Sequence, residues 1–324
     1  MLATLVDFML RFRWAVLTVA GALVALGILA ALRLPFDAFP DTTPALVQVN
    51  VSAPGWAPED LERLVTYPVE QSVTGLTGLT EVRSVTKYGL CQVTALFDDN
   101  TELYLARQQV SEKLTTLRLP EGVGAPELGP VSTGLGEIFH YIVVSDSSEK
   151  TVAREAQDWD IKPQLLAAAG VAEINSWGGF KKQFLITLDP GQTAKFKLTF
   201  LDVIDAIHRE LGVAPGGQII RGGEMTLVRG SGIVGSLNEI EEIVVASRDG
   251  LPIFVRDVAS VSLGHEIRRG AATYNGQGEA TLGLGFMIIG ENPAQVTNEL
   301  ARRLEAAQES LPEGVTAIPV YQRT

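Results

Sequence analysis

The sequence predicts an α+β fold on a single membrane helix: two copies of a β-α-β-β-α-β unit, the second interrupted by an inserted domain. Three observations lead there. The run Leu119-Pro120-Glu121-Gly122-Val123 recurs letter for letter as Leu311-Pro312-Glu313-Gly314-Val315, and Gly78–Ser84 (GLTEVRS) is matched in pattern by Gly170–Ser176 (GVAEINS). The spacing between the paired signals is 38 residues from Glu81 to Leu119 but 138 from Glu173 to Leu311, and the difference of 100 is the size of a small domain. Ahead of both copies, nineteen residues without a charge, Trp14 to Leu32, stand between Arg13 and Arg33. Self-similarity at this scale governs every later assignment.

As a helix the charge-free run reaches roughly 28 Å, close to the hydrocarbon thickness of a bilayer. Trp14 stands at the entry, where an indole favours the interface. Arg11 and Arg13 precede the run, and after Arg33 the next basic residue is Arg63. The positive-inside bias therefore places the N-terminus in the cytoplasm and everything after Arg33 outside. Residues 1–13 suit a short interfacial helix. A cleaved signal peptide has a shorter apolar region of about 7–15 residues. The exit Arg33-Leu34-Pro35-Phe36 also fits an Ala-x-Ala cleavage site poorly, so a retained anchor is expected.

Residues 34–44, with Pro35, Pro40 and Pro44, read as an extended link. In the first copy Val47, Val49 and Val51 alternate with polar residues, the period of a half-buried strand. Pro58-Glu59-Asp60 opens a helix, with proline in the first turn and acids at the positive end of the dipole. Pro68 is expected to kink that helix or end its first half. Strands follow at Thr80–Thr86 and Leu90–Phe97, a helix at Thr101–Leu117, and a last strand after Gly124. The order is that of a split βαβ (ferredoxin-like) unit.

The second copy opens with a strand at Ile138–Val144 and a helix from Thr151 to Ala169. A hairpin is then expected from Val171–Trp177 and Gln183–Leu188 around Gly178-Gly179. The inserted domain holds a helix at Phe200–Leu211 and strands at Ile243–Ser247, Ile253–Asp257 and Val258–Leu263. Its arm, Gly216–Gly235, contains seven glycines in twenty residues and reads as a long hairpin reaching outward. Afterwards Ala271–Tyr274 and Ala280–Ile289 form strands around Asn275-Gly276. A helix at Ala294–Ser310 and a strand at Val315–Val320 close the unit.

The net charge is −12, and beyond Arg33 there are 23 basic against 37 acidic residues, which opposes nucleic acid binding. The single cysteine, Cys91, excludes an internal disulfide framework and reads as a strand residue. No Gly-Lys dipeptide, His-Glu-x-x-His, Cys-x-x-Cys or Gly-x-Ser-x-Gly occurs. His140, His208 and His265 lie far apart, and Asp98-Asp99 and Glu241-Glu242 read as solvated faces. Met225 and Met287 do not make a thioether site by themselves. The membrane run holds no Asp, Glu, Lys or His and so no proton relay. No catalytic, cofactor-binding or metal-binding residue is therefore assigned, and the chain is not read as an enzyme.

The stretches Phe36-Asp37-Ala38-Phe39-Pro40-Asp41, Pro54-Gly55, Val65-Thr66-Tyr67-Pro68-Val69-Glu70, Glu127–Gly134 (ELGPVSTG), Arg256-Asp257-Val258-Ala259, Arg268-Arg269-Gly270 and Tyr321-Gln322-Arg323-Thr324 are specific. They resemble those of resistance-nodulation-division (RND) efflux pumps, in particular their heavy-metal, CzcA- and CusA-like branch. Tyr67-Pro68 and the Glu127–Gly134 run point to the metal branch. Gln322 departs from the branch, which usually carries Asp there. The resemblance implies a cytoplasmic or interfacial segment at 1–13, a transmembrane helix at 14–32 and a first porter subdomain at 38–128. It further implies a second porter subdomain from 129–180 and 268–324, and a docking subdomain at 181–267 whose arm enters the next protomer of a homotrimer. A periplasmic adaptor, an outer-membrane channel and a metal cation as substrate are implied for the full pump, which sits in the bacterial inner membrane and is driven by protons. The proton-carrying acids and the metal site of such pumps are expected beyond residue 324, so none of the family's functional residues maps onto this sequence.

Two further readings come from other classes. One is a single-pass anchored periplasmic interaction module without transport activity; the other is an anchored periplasmic enzyme, which the motif search disfavours. Sequence continuing downstream into further membrane helices favours the pump, and a stop after Thr324 favours the module.

Overall fold

The computed structural model describes residues 10–32, 43–211, 215–221, 224–229, 235–248, 250–268 and 270–323. Helix α1, Arg13–Leu32, is long and apolar enough to cross a membrane, and none of its span Arg13–Ala31 is buried against the rest of the chain. Residues 1–9 of the interfacial segment, and the Pro-rich link from Leu34 as far as Thr42, lie outside the described residues.

The first sheet is built from β1 (Leu46–Ser52), β2 (Leu79–Lys87), β3 (Leu90–Phe97) and β4 (Glu127–Leu128), in the order β2-β3-β1-β4 with every pair antiparallel. The alternation read from Val47, Val49 and Val51 is the alternation observed: all three are fully buried. Two helices cover that face. Helix α2 comprises Pro58–Leu61, a π-helical turn at Glu62–Thr66, and Tyr67–Val73; helix α3 is Leu103–Thr115. Leu61, Val65, Val69 and Val73 of α2, with Ala106, Val110 and Leu114 of α3, share one core with the strand valines, Cys91 and Phe97. Each such fully buried aliphatic side chain contributes about 1.5–3 kcal/mol. Burial pushes the Cys91 thiol up, so it behaves as a small apolar residue.

Helix α2 continues past Pro68 to Val73. The proline lacks the N–H that would reach back four residues, and the helix widens by one residue just before it, with the Tyr67 N–H donating to the Glu62 carbonyl. The second copy does the same. Helix α4 comprises Val152–Glu155, a π turn at Ala156–Ile161, and Lys162–Leu166, and the Lys162 N–H ahead of Pro163 donates to Gln157.

The second sheet contains β5 (Glu137–Ser145), β6 (Val171–Gly178), β14 (Glu279–Met287) and β15 (Val315–Gln322). Strand β15 pairs β5, β5 pairs β14 and β14 pairs β6, all antiparallel. Counted within its own unit, each sheet thus has the order fourth, first, third, second. Helix α4 and helix α9 (Pro293–Gln308) pack on one face around Phe139, Tyr141, Ile161, Leu165, Ile174 and Leu300. Asn292 caps α9, its Oδ1 accepting from the N–H groups of Ala294 and Gln295.

One expectation is overturned here. Val171–Trp177 and Gln183–Leu188 do not form a hairpin. Strand β6 pairs β14, whereas β7 (Lys182–Leu188) pairs β12 (Ala259–His265) in a two-stranded ribbon. The Gly178-Gly179 pair looked like a tight turn, but both glycines take positive φ to turn the chain out of the sheet.

Beyond the ribbon lie α5 (Pro190–Lys195), α6 (Phe200–Glu210), the paired backbones of β8 (Pro215–Arg221) and β9 (Glu224–Arg229), α7 (Leu237–Glu241), β10 (Val244–Arg248), β11 (Leu251–Phe254) and α8 (Val255–Val258). They have a core of their own, formed by Val203, Ala206, Ile240, Ile243, Val245, Ile253, Val255 and Val258. The strand expected at Ile253–Asp257 stops at Phe254, because the Asp257 carboxylate accepts from the Phe254 N–H at 2.8 Å and starts a helical turn. The glycine-rich arm is a hairpin over β8 and β9; residues 222–223 and 230–234 within it lie outside the described residues.

Candidate functional site

A dense polar network lies at the junction where the inserted segment leaves and rejoins the second sheet. Strand β6 ends at Gly178 opposite Thr281, and β13 (Ala272–Thr273) begins opposite Ala280 on the same side of β14. Outgoing and returning chains thus stand end to end as one broken edge strand. A Cβ on Gly178 would lie 2.7 Å from the Ala272 nitrogen.

Helix α4 braces this break. Arg154 donates from Nη1 to the Gly178 carbonyl at 2.6 Å and from Nε to Asp158 Oδ2 at 2.7 Å. Asp158 Oδ1 accepts from Ser176 Oγ at 2.7 Å, and Gln157 Nε2 donates to the same hydroxyl at 3.2 Å. The π turn brings this about: the extra residue places Gln157, fully buried, and Asp158 side by side over β6. Tyr141 is buried in the same core, and burial pushes its phenol up so that it stays protonated.

The two linking segments are tied in parallel fashion. The Arg268 guanidinium lies 4.4 Å from the Phe180 ring centroid, and Lys150 Nζ lies 5.4 Å from it. His265 meets the same ring edge-on at 4.9 Å. Arg268 also pairs with Glu279 at 2.5 Å, so the returning chain is bound to β14. At the ribbon base Lys182 reaches Glu155 at 3.1 Å and Glu149 at 3.6 Å, and these carboxylates, Glu155 foremost, raise its pKa.

Next to the junction a cleft of about 750 Å³ opens between α4 and the ribbon, lined by Trp159, Lys162, Phe184 and Leu263 among others. A smaller one, about 310 Å³, lies on the other side beside Trp177 and Ile267. Neither contains a nucleophile–base pair. Among the described residues no three His, Cys, Asp or Glu side chains are grouped to hold a metal ion.

The residues singled out in the sequence are dispersed. His140 sits 2.7 Å from Glu137 and against the Tyr321 ring at 4.8 Å, His208 is on α6, and His265 is at the ribbon end. Met287 is buried in the second core, and Asp98-Asp99 are exposed at the turn after β3. Arg154, Asp158, Ser176 and Phe180 were not anticipated, although the four-residue step from Arg154 to Asp158 was a readable helical ion pair. Several stretches that carried the resemblance have local structural work. Gly129 N–H donates to Gln48 and its carbonyl accepts from Arg107, both at 2.7 Å. Arg323 donates from its backbone to Ile138 and from its guanidinium to Leu135, and its carbonyl accepts from Thr297.

The chain is 44% identical to Protein HelA of Legionella pneumophila over its whole length, which is 32% of that protein. It is 42% identical to the cobalt-zinc-cadmium resistance protein CzcA of Cupriavidus metallidurans, again over its whole length and 31% of the relative. It is 36% identical to the cation efflux system protein CusA of Escherichia coli, over 96% of this chain and 30% of that one. The chain thus spans about a third of the length of these relatives. Among solved structures, crystal form II of a heavy metal efflux pump superposes with a TM-score of 0.86 at 29% identity, covering 96% of this chain and 31% of the pump. The AcrB/AcrD/AcrF family matches residues 5–324. The chain therefore belongs to the AcrB/AcrD/AcrF family and groups within it with the heavy-metal RND efflux transporters.

Proposed function

We propose that this chain is the N-terminal part of a proton-driven heavy-metal cation exporter of the bacterial inner membrane, and that it does not pump without the remaining polypeptide. The observation that carries the reading is likeness along the whole chain to cation-efflux proteins about three times as long. In this reading α1 anchors the chain with its N-terminus in the cytoplasm, and the rest is periplasmic. Residues 38–128 form a first porter subdomain, and 129–180 with 268–324 a second. Residues 181–267 form a docking subdomain whose β8–β9 arm grips the next protomer of a trimer. The separate cores of the two sheets and of the inserted segment support this division. The adaptor and the outer-membrane channel are the partners of the assembled pump.

The junction has a role in this scheme. A porter unit that changes shape while its docking unit stays engaged needs a stiff connection, and the Arg154–Asp158–Ser176 brace with the Phe180 clamp provides one. The test is export by the complete polypeptide in a bacterium stripped of its own metal exporters. Tolerance to zinc, cobalt, cadmium, copper or silver should rise, should collapse with the proton gradient, and should be absent when only residues 1–324 are produced. Unchanged tolerance to all of these ions would refute the assignment.

A further inference from the structure

We propose that the cleft between α4 and the β7–β12 ribbon is a binding site for flat amphipathic monoanions, such as aromatic sulfonates or carboxylates. The proposal does not depend on the export reading. The cleft volume of about 750 Å³ lies within the range of about 300–1,000 Å³ typical of small-molecule sites.

Its floor is apolar. Phe184 and Leu263 are directly opposed across the ribbon, so they stand side by side on one face. Trp159 rises from α4 as the opposite wall and is 78% exposed, a large indole surface with nothing packed over it among the described residues. An aromatic ring system entering the cleft would be flanked by these three side chains.

The charge is predominantly basic and partly unspent. The lining holds four basic side chains against two carboxylates, in a chain whose net charge is −12. Arg154 is taken up by Asp158, and Lys182 by Glu155 and Glu149. Among the described residues, Lys181 has only a loose, exposed ion-pair partner in Glu266 at 3.6 Å. Lys162 has no ion-pair partner among the described residues, and it lines the same cleft as Trp159. Aromatic wall and free ammonium therefore face one cleft. That pairing selects a ligand with an apolar body and one negative group, and rejects the metal cations carried by the chain's relatives.

The test uses the full chain in lipid nanodiscs, with naphthalene-2-sulfonate as the probe and the neutral naphthalene-2-sulfonamide as its near-isosteric control. Trp159 is the internal reporter, read as the difference between wild-type and Trp159→Phe emission. The sulfonate should quench Trp159 saturably below about 1 mM, and the sulfonamide should bind at least threefold more weakly. Lys162→Gln should weaken the sulfonate at least threefold and leave the sulfonamide unchanged, and Lys162→Arg should restore sulfonate binding. Three results would each overturn the proposal: no saturable Trp159 quenching, equal binding of both probes, or a Lys162→Gln variant that binds the sulfonate as wild type does.

Discussion

Gly178 and Gly276 have almost the same backbone, φ +69° and +67°, in very different surroundings. Around Gly276 a Cβ would meet nothing within 4 Å; on Gly178 it would lie 2.7 Å from the Ala272 nitrogen and 3.0 Å from the Ala280 carbonyl oxygen. Both obstacles are backbone atoms and cannot rotate aside. Gly276→Ala should therefore cost only the left-handed conformation, about 1–2 kcal/mol. Gly178→Ala should add an overpacking cost of about 1–3 kcal/mol. It should also disturb the carbonyl that accepts from Arg154 at 2.6 Å. The two variants are best compared by urea unfolding, with Trp177 as sole reporter after Trp14, Trp56 and Trp159 are replaced by phenylalanine. With a slope of about 1–3 kcal/mol per molar urea, the difference between them is a midpoint shift on the order of 1 M. A Gly178→Ala variant as stable as Gly276→Ala would refute the claim that outgoing and returning chains meet at this point.

Asp158→Ala should destabilise the second unit by about 1–3 kcal/mol, because Arg154 and Ser176 lose a shared acceptor in a part-buried site; combined with Ser176→Ala it should be clearly non-additive in denaturant unfolding. Glu299 accepts from Arg302 and then Arg303, which pull its pKa from 4.5 to about 2. Because the folded pKa is depressed, its stabilisation is present above about 4.5 and is lost as pH falls toward 2. Glu299→Gln should flatten melting temperature against pH in that window. Cys91 is fully buried with a raised pKa, so iodoacetamide at pH 8 should label it only as fast as the first unit opens, whereas full denaturation should give immediate labelling.

Much of this architecture was legible because the signals were local and periodic. The valine alternation in β1 and the three- and four-residue apolar steps of α3 each follow from one element's own residues, and the repeated Leu-Pro-Glu-Gly-Val is plain in the chain itself. The failures have non-local causes. Strand β6 finds its partner 281–287 rather than the nearer 182–188, and nothing within Val171–Trp177 encodes that choice. The π turns were hidden because a proline within a helix was read as kinking or ending it, when tertiary burial of Leu61 and Val65, or of Ala156 and Ile161, holds the widened helix together. The brace at the junction was invisible for the same reason: Ser176 and Asp158 are ordinary residues until the π turn faces Asp158 to β6. Phe180 looked like one more apolar residue before a strand, and only the return of Arg268 across the inserted segment makes it a clamp.

Disulfide trapping tests the interrupted second unit most directly. In a Cys91→Ser background, Trp177→Cys with Leu282→Cys joins directly opposed positions of β6 and β14, whereas Trp177→Cys with Gln183→Cys would join the arms of a β6–β7 hairpin. Mild oxidation followed by mass spectrometry of the digested chain should yield the 177–282 link in high proportion and little of the 177–183 link. The reverse outcome would contradict a strand that closes its sheet across an inserted domain.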